Sequence, residues 1–390
     1  MNKKQLSLFL LLAIIPFALY LFSDRFVDPD SYYYLNVVCN NGNLNENGFF
    51  NIFLPFIPCN FFVIKFLLVM AYFGILFFTA KLGELFDKQN GWLLAIILVG
   101  LTLFPTEVWK FENDMFGYFF GFASLYFFTK HYLARGYFSF FGKDFFIGSF
   151  LLVLAGLFWN GMVYWLIPLA LLNFFGIFLF FGSIFLFLES YFNFLSQSTL
   201  VLENQVWIGF VYLGLSSLFL IGIVKSKRFV VASYLLMVLI LVFQAKLFVL
   251  GIPFACLIAF EGLKILSNSI PMALRKGFKI FTTKERVWET TKQTLIILAI
   301  LTSLFWSVTA INQFPKEDDV LLIKNGIELS PSHIENDFSA GYVIRYYGGN
   351  PSCAGWLCEY KYEGIVINIV DTNSNCVLLE KSTNLQLLKC

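Results

Sequence analysis

The feature that most constrains this chain is a series of long apolar runs between its N-terminus and about residue 311. The first run extends from Leu6 to Phe22, and further runs lie at about 62–80, 92–106, 115–130, 145–190, 207–224, 229–244, 247–266 and 294–311. Only 13% of the residues are charged, whereas about 25% is usual for a soluble protein. The pattern predicts an all-α polytopic membrane protein, and the net charge of +2 gives no indication of a nucleic-acid partner.

The distribution of Lys and Arg predicts the topology, because cytoplasmic loops carry an excess of both residues. Basic segments at about 130–143, 225–228 and 264–292 are expected inside, together with the N-terminus of a retained first helix. The external segments are then the loops 23–61, 105–114 and 190–206 and the chain after about 312. This arrangement needs three short crossings between 144 and 190, with turns near Trp159 and between Asn173 and Gly176, and about eleven spans in total.

Six of the seven cysteines fall in the predicted external segments, and Cys256 lies in an apolar run. Cys39 and Cys59 follow the first helix, while the other four, Cys353, Cys358, Cys376 and Cys390, lie near the C-terminus. Such a set fits disulfides in an oxidising compartment, and the short spacing favours a Cys353–Cys358 pair. Free thiols in a cytosol-facing protein are the alternative.

Residues 312–390 differ in character from the apolar region 1–311 and predict a small C-terminal domain on the extracytoplasmic side. Alternating apolar residues at Gly341–Tyr346 and at Gly364–Val370 are typical of strands, and Gly-Gly-Asn-Pro at 348–351 is typical of a turn. The domain is therefore expected to be β-rich.

Acidic residues occur in all three predicted external loops. The candidates for a metal site are Asp28 and Asp30 in the first loop, Glu112 and Asp114 in the second, and Glu203 in the third. Carboxylates that converge from separate loops are the hard oxygen ligands that Mg²⁺ or Mn²⁺ prefers. Lys246 is the nearest cation predicted on the same face, and a metal with a lysine suits a phosphate-bearing lipid. Alternatively, each acid is a solvated loop charge.

Several motifs, in order, resemble the catalytic subunit of oligosaccharyltransferases, and in particular the archaeal and bacterial single-subunit forms of this C-type membrane glycosyltransferase fold. Asp30-Ser31-Tyr32-Tyr33-Tyr34-Leu35 resembles the first-loop motif, and Glu112-Asn113-Asp114 the second acidic motif. The run from Trp159-Asn160-Gly161 to Leu166-Ile167-Pro168-Leu169 is similar to the start of a family helix. Glu203 falls where the family's mobile loop carries a glutamate, and Lys246 where a helix opens with arginine, seven residues before Pro253.

The resemblance implies transfer of a glycan from a polyprenyl-linked donor to a protein asparagine. It implies that Asp30, Glu112, Asp114 and Glu203 bind Mn²⁺ or Mg²⁺, and that Asp30 and Glu203 also hold the acceptor amide. Lys246, Trp159 and Asn160 would contact substrate. The enzyme would be a multi-pass protein of the cell membrane, with its active site on the extracytoplasmic side.

Three alternatives remain open at the level of sequence. The family's Trp-Trp-Asp-Tyr-Gly motif is missing, and the nearest run is Tyr346-Tyr347-Gly348-Gly349. Its absence favours a transferase that acts on a lipid, a glycan or a hydroxyl group. A transporter that binds a coupling ion is less compatible with acids near helix ends. A scaffold that has kept the fold and lost the activity is the third.

Overall fold

The computed structural model describes residues 2–19, 21–23, 25–26, 28–40, 53–102, 104–106, 108–135, 142–159, 162, 165, 218, 221–222, 248–278, 283–311, 313–336, 338–352, 365–369 and 376–389. The chain forms two compact units. The first contains residues 1–15, 70–107 and 113–305, and the second contains residues 16–69, 108–112 and 306–390. The second unit therefore combines the C-terminal region with the whole of the predicted loop 23–61 and with part of the predicted loop 105–114.

Ten α-helices are found in the described residues: α1 (Lys3–Ile14), α2 (Pro29–Asn40), α3 (Phe61–Phe86), α4 (Leu93–Gly100), α5 (Asn113–Arg135), α6 (Lys143–Phe158), α7 (Phe248–Phe278), α8 (Lys284–Ile311), α9 (Glu317–Leu329) and α10 (Phe338–Tyr346). Short 3₁₀ turns lie at Ile15–Phe17, Leu54–Phe56 and Phe104–Thr106. The chain is thus mainly helical, as its apolar runs predict.

Three helical segments in the described residues are long and apolar enough to cross a membrane: Phe61–Phe86, Gly251–Pro271 and Lys284–Ala310. Each corresponds to an apolar run, and together they indicate a multi-pass membrane protein. The total of about eleven spans stays a prediction, because much of the stretch between Asn160 and Leu247 lies outside the described residues.

Several helix boundaries differ from the apolar runs. Helix α1 begins earlier than predicted because the Asn2 and Gln5 side chains and backbone amides form reciprocal hydrogen bonds, and it ends at Ile14, before Pro16. Helix α4 covers eight residues of the 92–106 run, all of them buried. The predicted loop 264–292 is largely helical, because α7 extends to Phe278 and α8 already begins at Lys284.

The first unit depends on close helix packing at glycines. Helices α5 and α6 pack along each other, and Ser124 Oγ donates to Gly148 O across them at 2.8 Å. At Gly262 of α7, an added Cβ would lie 1.9 Å from Leu218 O, so two backbones approach directly. Small residues permit this approach between helices in membrane domains. Helix α6 ends at Phe158, next to the turn predicted near Trp159.

The second unit contains α2, α9, α10 and a four-stranded sheet. Its strands are β1 (Glu335–Asn336), β2 (Ile365–Ile369), β3 (Val377–Lys381) and β4 (Leu385–Lys389), in the order β1-β2-β4-β3. The pairs β2–β4 and β4–β3 are antiparallel, and β1 runs parallel to β2. Gly326 brings α9 onto the sheet, since a Cβ there would lie 2.8 Å from Ile367 Cδ1.

The prediction of a strand at Gly341–Tyr346 is wrong, because this run belongs to helix α10. Ala340, Val343 and Ile344 are fully buried, which is the spacing of one helix face. A six-residue run is too short to distinguish the two-residue period of a strand from the 3.6-residue period of a helix. Packing against α2 and α9 determines that this run is helical. The strand predicted at Gly364–Val370 is confirmed by β2.

Two polar links and a disulfide tie the segment before α2 and the loop after it into the second unit. The Arg25 guanidinium donates to Pro315 O, and the fully buried Lys65 ammonium donates to Ser23 O at 2.6 Å. Cys39 at the end of α2 is disulfide-bonded to Cys59, just before α3. Both termini of α2 are therefore anchored.

Candidate active site

The first two acidic residues lie where helix α2 begins. Pro29 is its first residue, a position that suits proline because the first amide of a helix has no intrahelical acceptor. Asp28 Oδ2 accepts a hydrogen bond from Ser31 N at 3.1 Å, which caps the helix. Asp30 lies in the first turn, where the helix dipole favours a negative charge. The sequence Asp-Pro-Asp-Ser thus places two carboxylates at one helix end.

A third acid reaches this helix end from a distant part of the chain. Phe111 N donates to Ser31 Oγ at 2.9 Å, although the two residues are 80 positions apart. Phe111 and Ser31 are fully buried, and Glu112 follows directly with 5% of its surface exposed. The hydrogen bond therefore holds a buried carboxylate beside the start of α2.

Asp28, Asp30 and Glu112 form a cluster in which one carboxylate oxygen from each lies within 4.8 Å of the others. The pKa of Asp28 is raised well above its usual value by burial, then by the negative charges of Glu112 and Asp30, whereas Lys110 acts in the opposite direction. Three hard oxygen donors at these separations fit Mg²⁺ or Mn²⁺. A bound cation would relieve the repulsion between them.

Aromatic side chains pack together on the chain segments that carry the clustered acids. The Phe26 and Phe111 ring centroids are 6.0 Å apart, and those of Tyr34 and Phe111 are 6.4 Å apart. Tyr32 Oη accepts a hydrogen bond from Phe26 N at 3.2 Å and also hydrogen-bonds to the Tyr347 side chain. This packing restricts motion of the backbone that carries Asp28 and Asp30.

Comparison with solved structures shows which architecture holds this cluster. The chain is similar to two structures of an Archaeoglobus fulgidus oligosaccharyltransferase, one described with Zn and sulfate and one with an inhibitory peptide and a dolichol-phosphate. The TM-scores are 0.57 and 0.60, over 88% and 90% of this chain. The fold is that of an oligosaccharyltransferase.

The likeness is one of fold, since sequence identity to both structures is 11%. This chain spans just under two thirds of those proteins, 62% and 64% of their lengths. No protein-family model and no curated protein matches the sequence.

The structure brings some of the predicted site residues together and places others elsewhere. Asp30 and Glu112 lie together in the second unit, while Asp114 is buried in the first turn of α5, in the first unit, and is not one of the three clustered acids. Trp159 is buried at the end of α6, with its ring centroid 5.0 Å from that of Tyr118. The predicted residues Asn160, Glu203, Lys246, Cys353 and Cys358 lie outside the described residues.

Ser31 is the residue that sequence reasoning missed. It contacts both acid-bearing segments, through its amide to Asp28 and through its hydroxyl to Phe111. The three-residue spacing from Asp28 to Ser31 is the spacing of a helix cap, and this signal could have identified the helix start. No local pattern indicates the contact with Phe111, because that partner lies 80 residues away.

Proposed function

We propose that this chain is a membrane glycosyltransferase that moves a glycan from a polyprenyl-linked phosphate or diphosphate donor to a protein asparagine. The observation that carries the proposal is the cluster of Asp28, Asp30 and Glu112 at the start of a helix in an oligosaccharyltransferase fold. The archaeal protein with this fold was solved with a peptide and a dolichol-phosphate, which supports a lipid-linked donor and a peptide acceptor here.

The proposed cofactor is Mn²⁺ or Mg²⁺, held by Asp28, Asp30 and Glu112. Asp114 and Glu203 are the further ligands proposed from sequence. When bound, such a cation acts as a Lewis acid towards the negative charge that develops on the leaving phosphate. The donor set supports this assignment because it is made of oxygen atoms only, which suits hard cations.

The proposed roles of the other residues follow from their chemistry. Asp30 and Glu203 accept hydrogen bonds from the two N–H groups of the acceptor amide and so orient a poor nucleophile. Lys246 provides a positive charge for the donor phosphate, and Trp159 with Asn160 shapes the substrate site.

The proposed location is the extracytoplasmic face of a cell membrane. The disulfide between Cys39 and Cys59 supports this side, because disulfides persist in oxidising compartments. It lies in the predicted external loop 23–61 that also carries Asp28 and Asp30. The proposal therefore places the acidic cluster and the C-terminal region on the same side of the membrane.

A second candidate keeps the donor and changes the acceptor to a lipid, a glycan or a hydroxyl group. Tyr346 and Tyr347, which stand nearest to the missing acceptor-reading motif, pack against Tyr32, with ring centroids 5.3 Å and 6.3 Å away. Rings engaged in packing are less suited to reading an acceptor peptide, and this observation favours the second candidate.

The test uses the full chain in lipid nanodiscs with a mixture of polyprenyl-linked sugar donors and Mn²⁺. Acceptors are a labelled peptide with an Asn-x-Ser/Thr sequence, its Asn→Gln counterpart, and a hydroxyl-bearing glycolipid. We expect transfer to the asparagine peptide only, with loss of activity in EDTA. Transfer to the glycolipid, or to the Gln peptide through its hydroxyl, would support the second candidate.

Two variants distinguish the effect of losing an acid from the cluster from the effect of losing an acid elsewhere on the protein. Asp30→Asn should lower the transfer rate by at least about a hundredfold, because it removes a charged ligand and an acceptor of the amide N–H groups. Glu285→Gln is the matched control, since Glu285 is an exposed acid in the first turn of α8. Absence of transfer in every arm, or full activity of Asp30→Asn, would contradict the proposal.

A further inference from the structure

Ser31 lies between the two chain segments that supply the clustered acids. It is the third residue of α2 and is fully buried. Its amide donates to Asp28 Oδ2 at 3.1 Å, and its hydroxyl accepts from Phe111 N at 2.9 Å. One side chain and its own amide therefore contact the carboxylate of Asp28 and the backbone that leads into Glu112.

We propose that Ser31 is a positioning residue that holds the carboxylates of Asp28 and Glu112 at the separation that a divalent cation requires. This inference rests on the proposed function. Phe111 directly precedes Glu112, and consecutive Cα atoms are about 3.8 Å apart, so a shift of the Phe111 amide carries Glu112 with it. Partners that orient metal ligands contribute strongly to metal affinity.

The hydroxyl group provides a directional contact that ring packing does not. Phe111 packs against Phe26 and Tyr34, with centroids 6.0 Å and 6.4 Å away, and these ring contacts tolerate sliding. A hydrogen bond weakens steeply when its angle or distance changes. Since Phe111 is fully buried, bulk water is poorly placed to replace Ser31 Oγ as the acceptor.

The test measures Mn²⁺ affinity of the full chain in nanodiscs, from the electron paramagnetic resonance signal of free Mn²⁺. Ser31→Ala should weaken binding about tenfold, and Ser31→Thr, which keeps the acceptor, should stay within about threefold of the wild type. Ser124→Ala is the matched control, because Ser124 is also fully buried and its hydroxyl donates to Gly148 O. It should bind Mn²⁺ as the wild type does.

A second readout, hydrogen–deuterium exchange, does not depend on metal binding. The Phe111 amide should exchange slowly with deuterium in wild-type peptides that cover residues 108–112, and Ser31→Ala should accelerate this exchange. Fast exchange in the wild type would overturn the inference.

The outcomes separate this inference from the proposed function. Wild-type affinity in Ser31→Ala, together with lost binding in Asp30→Asn, would overturn the positioning role and leave the metal site standing. Equal weakening in Ser31→Ala and Ser124→Ala would also overturn it, since general destabilisation would then explain both. A wild-type protein that binds no Mn²⁺ would overturn the positioning role and the metal site together.

Discussion

Tyr32 of α2 packs against Tyr346 of α10, with ring centroids 5.3 Å apart and planes inclined by 69°. The two residues are 314 positions apart in the sequence, and both belong to the second unit. Tyr32 is fully buried, and its hydroxyl accepts from Phe26 N at 3.2 Å. The end of the C-terminal helix α10 thus supports the turn of α2 that carries Asp30.

Substitution of Tyr32 separates the role of its hydroxyl from that of its ring. Tyr32→Phe should lower the free energy of unfolding by about 1 kcal/mol, the usual net value of one hydrogen bond. Tyr32→Ala should lower it by about 4 kcal/mol, because it also removes a buried ring. Thermal unfolding in detergent, followed by intrinsic fluorescence, measures both. Equal losses for the two variants would show that the contact with Tyr346 contributes nothing.

Alkylation of unreduced, denatured protein tests the cysteine assignments. Cys39 and Cys59 should resist modification because they form a disulfide, and Cys256 should react because it is free and buried only in the folded state. Cys376 is also disulfide-bonded and should resist. The Cys353–Cys358 pair stays a prediction, and a linked peptide in mass spectrometry would confirm it.

Removal of the first disulfide should destabilise the loop after α2. The bond joins residues 20 positions apart, and closure of a loop of about this size contributes about 3 kcal/mol. Cys39→Ser combined with Cys59→Ser should lower the unfolding temperature and increase proteolysis between α2 and α3. Resistance to protease equal to that of the wild type would contradict this expectation.

The pH dependence of stability should reflect Asp318 at the start of α9. Its burial raises the pKa, but hydrogen bonds from Thr383 N and Oγ1, both 2.6 Å long, outweigh it and lower the pKa of the carboxyl group. A lowered folded-state pKa means that the stabilisation is complete above the unfolded value of about 3.9 and is lost as the pH falls through the folded-state value.

Asp318→Asn is the variant that reveals this contribution. Its stability deficit should be largest at neutral pH and should shrink as the pH falls below the unfolded-state pKa of about 3.9 and the wild-type carboxyl group is protonated. Chemical unfolding at a series of pH values measures the deficit. Glu317→Gln, at the exposed neighbouring position, should show a smaller deficit. A deficit for Asp318→Asn that does not change with pH would show that the negative charge of Asp318 does not stabilise the protein.

Glycine is required at one helix crossing in the first unit. A Cβ at Gly262 would lie 1.9 Å from Leu218 O, so Gly262→Ala should separate the two backbones and cost about 1–3 kcal/mol. Gly277→Ala is the control in the same helix, because no atom lies within 4 Å of its added Cβ. That change should be neutral or stabilise α7 by up to about 1 kcal/mol. Similar unfolding temperatures for the two variants would contradict the close crossing.

Lys246 is predicted to bind the donor phosphate. Lys246→Ala should weaken donor binding and transfer, whereas Lys246→Arg should retain most of both, since arginine keeps the charge and matches phosphate oxygens. Binding of a fluorescent polyprenyl phosphate and transfer with Mn²⁺ measure the two effects. A lysine that merely extends to the membrane surface would be insensitive to both changes, so equal activity of wild type and Lys246→Ala would remove it from the site.

The membrane helices and the fold of this protein can be predicted from the sequence alone. Long apolar runs predict membrane helices because about 20 residues are needed to cross a bilayer, and α3, α7 and α8 each contain a helical segment long and apolar enough to do so. The order of the motifs around Asp30, Glu112 and Trp159 predicted the oligosaccharyltransferase fold, which the structural comparison confirms. These signals are properties of residue type and spacing, and a sequence displays them directly.

Tertiary structure decided how the acids meet. Ser31 joins Phe111 across 80 residues, and this contact brings Glu112 to the start of α2, whereas Asp114, only two positions further on, belongs to the other unit. Packing also made Gly341–Tyr346 a helix although its pattern alternates as a strand would. The physical reason is the same in both cases. Periodicity and residue type describe only a few neighbouring positions. Whether a hydrogen bond or a helix face is buried depends on which distant segment of the chain packs over it and excludes water.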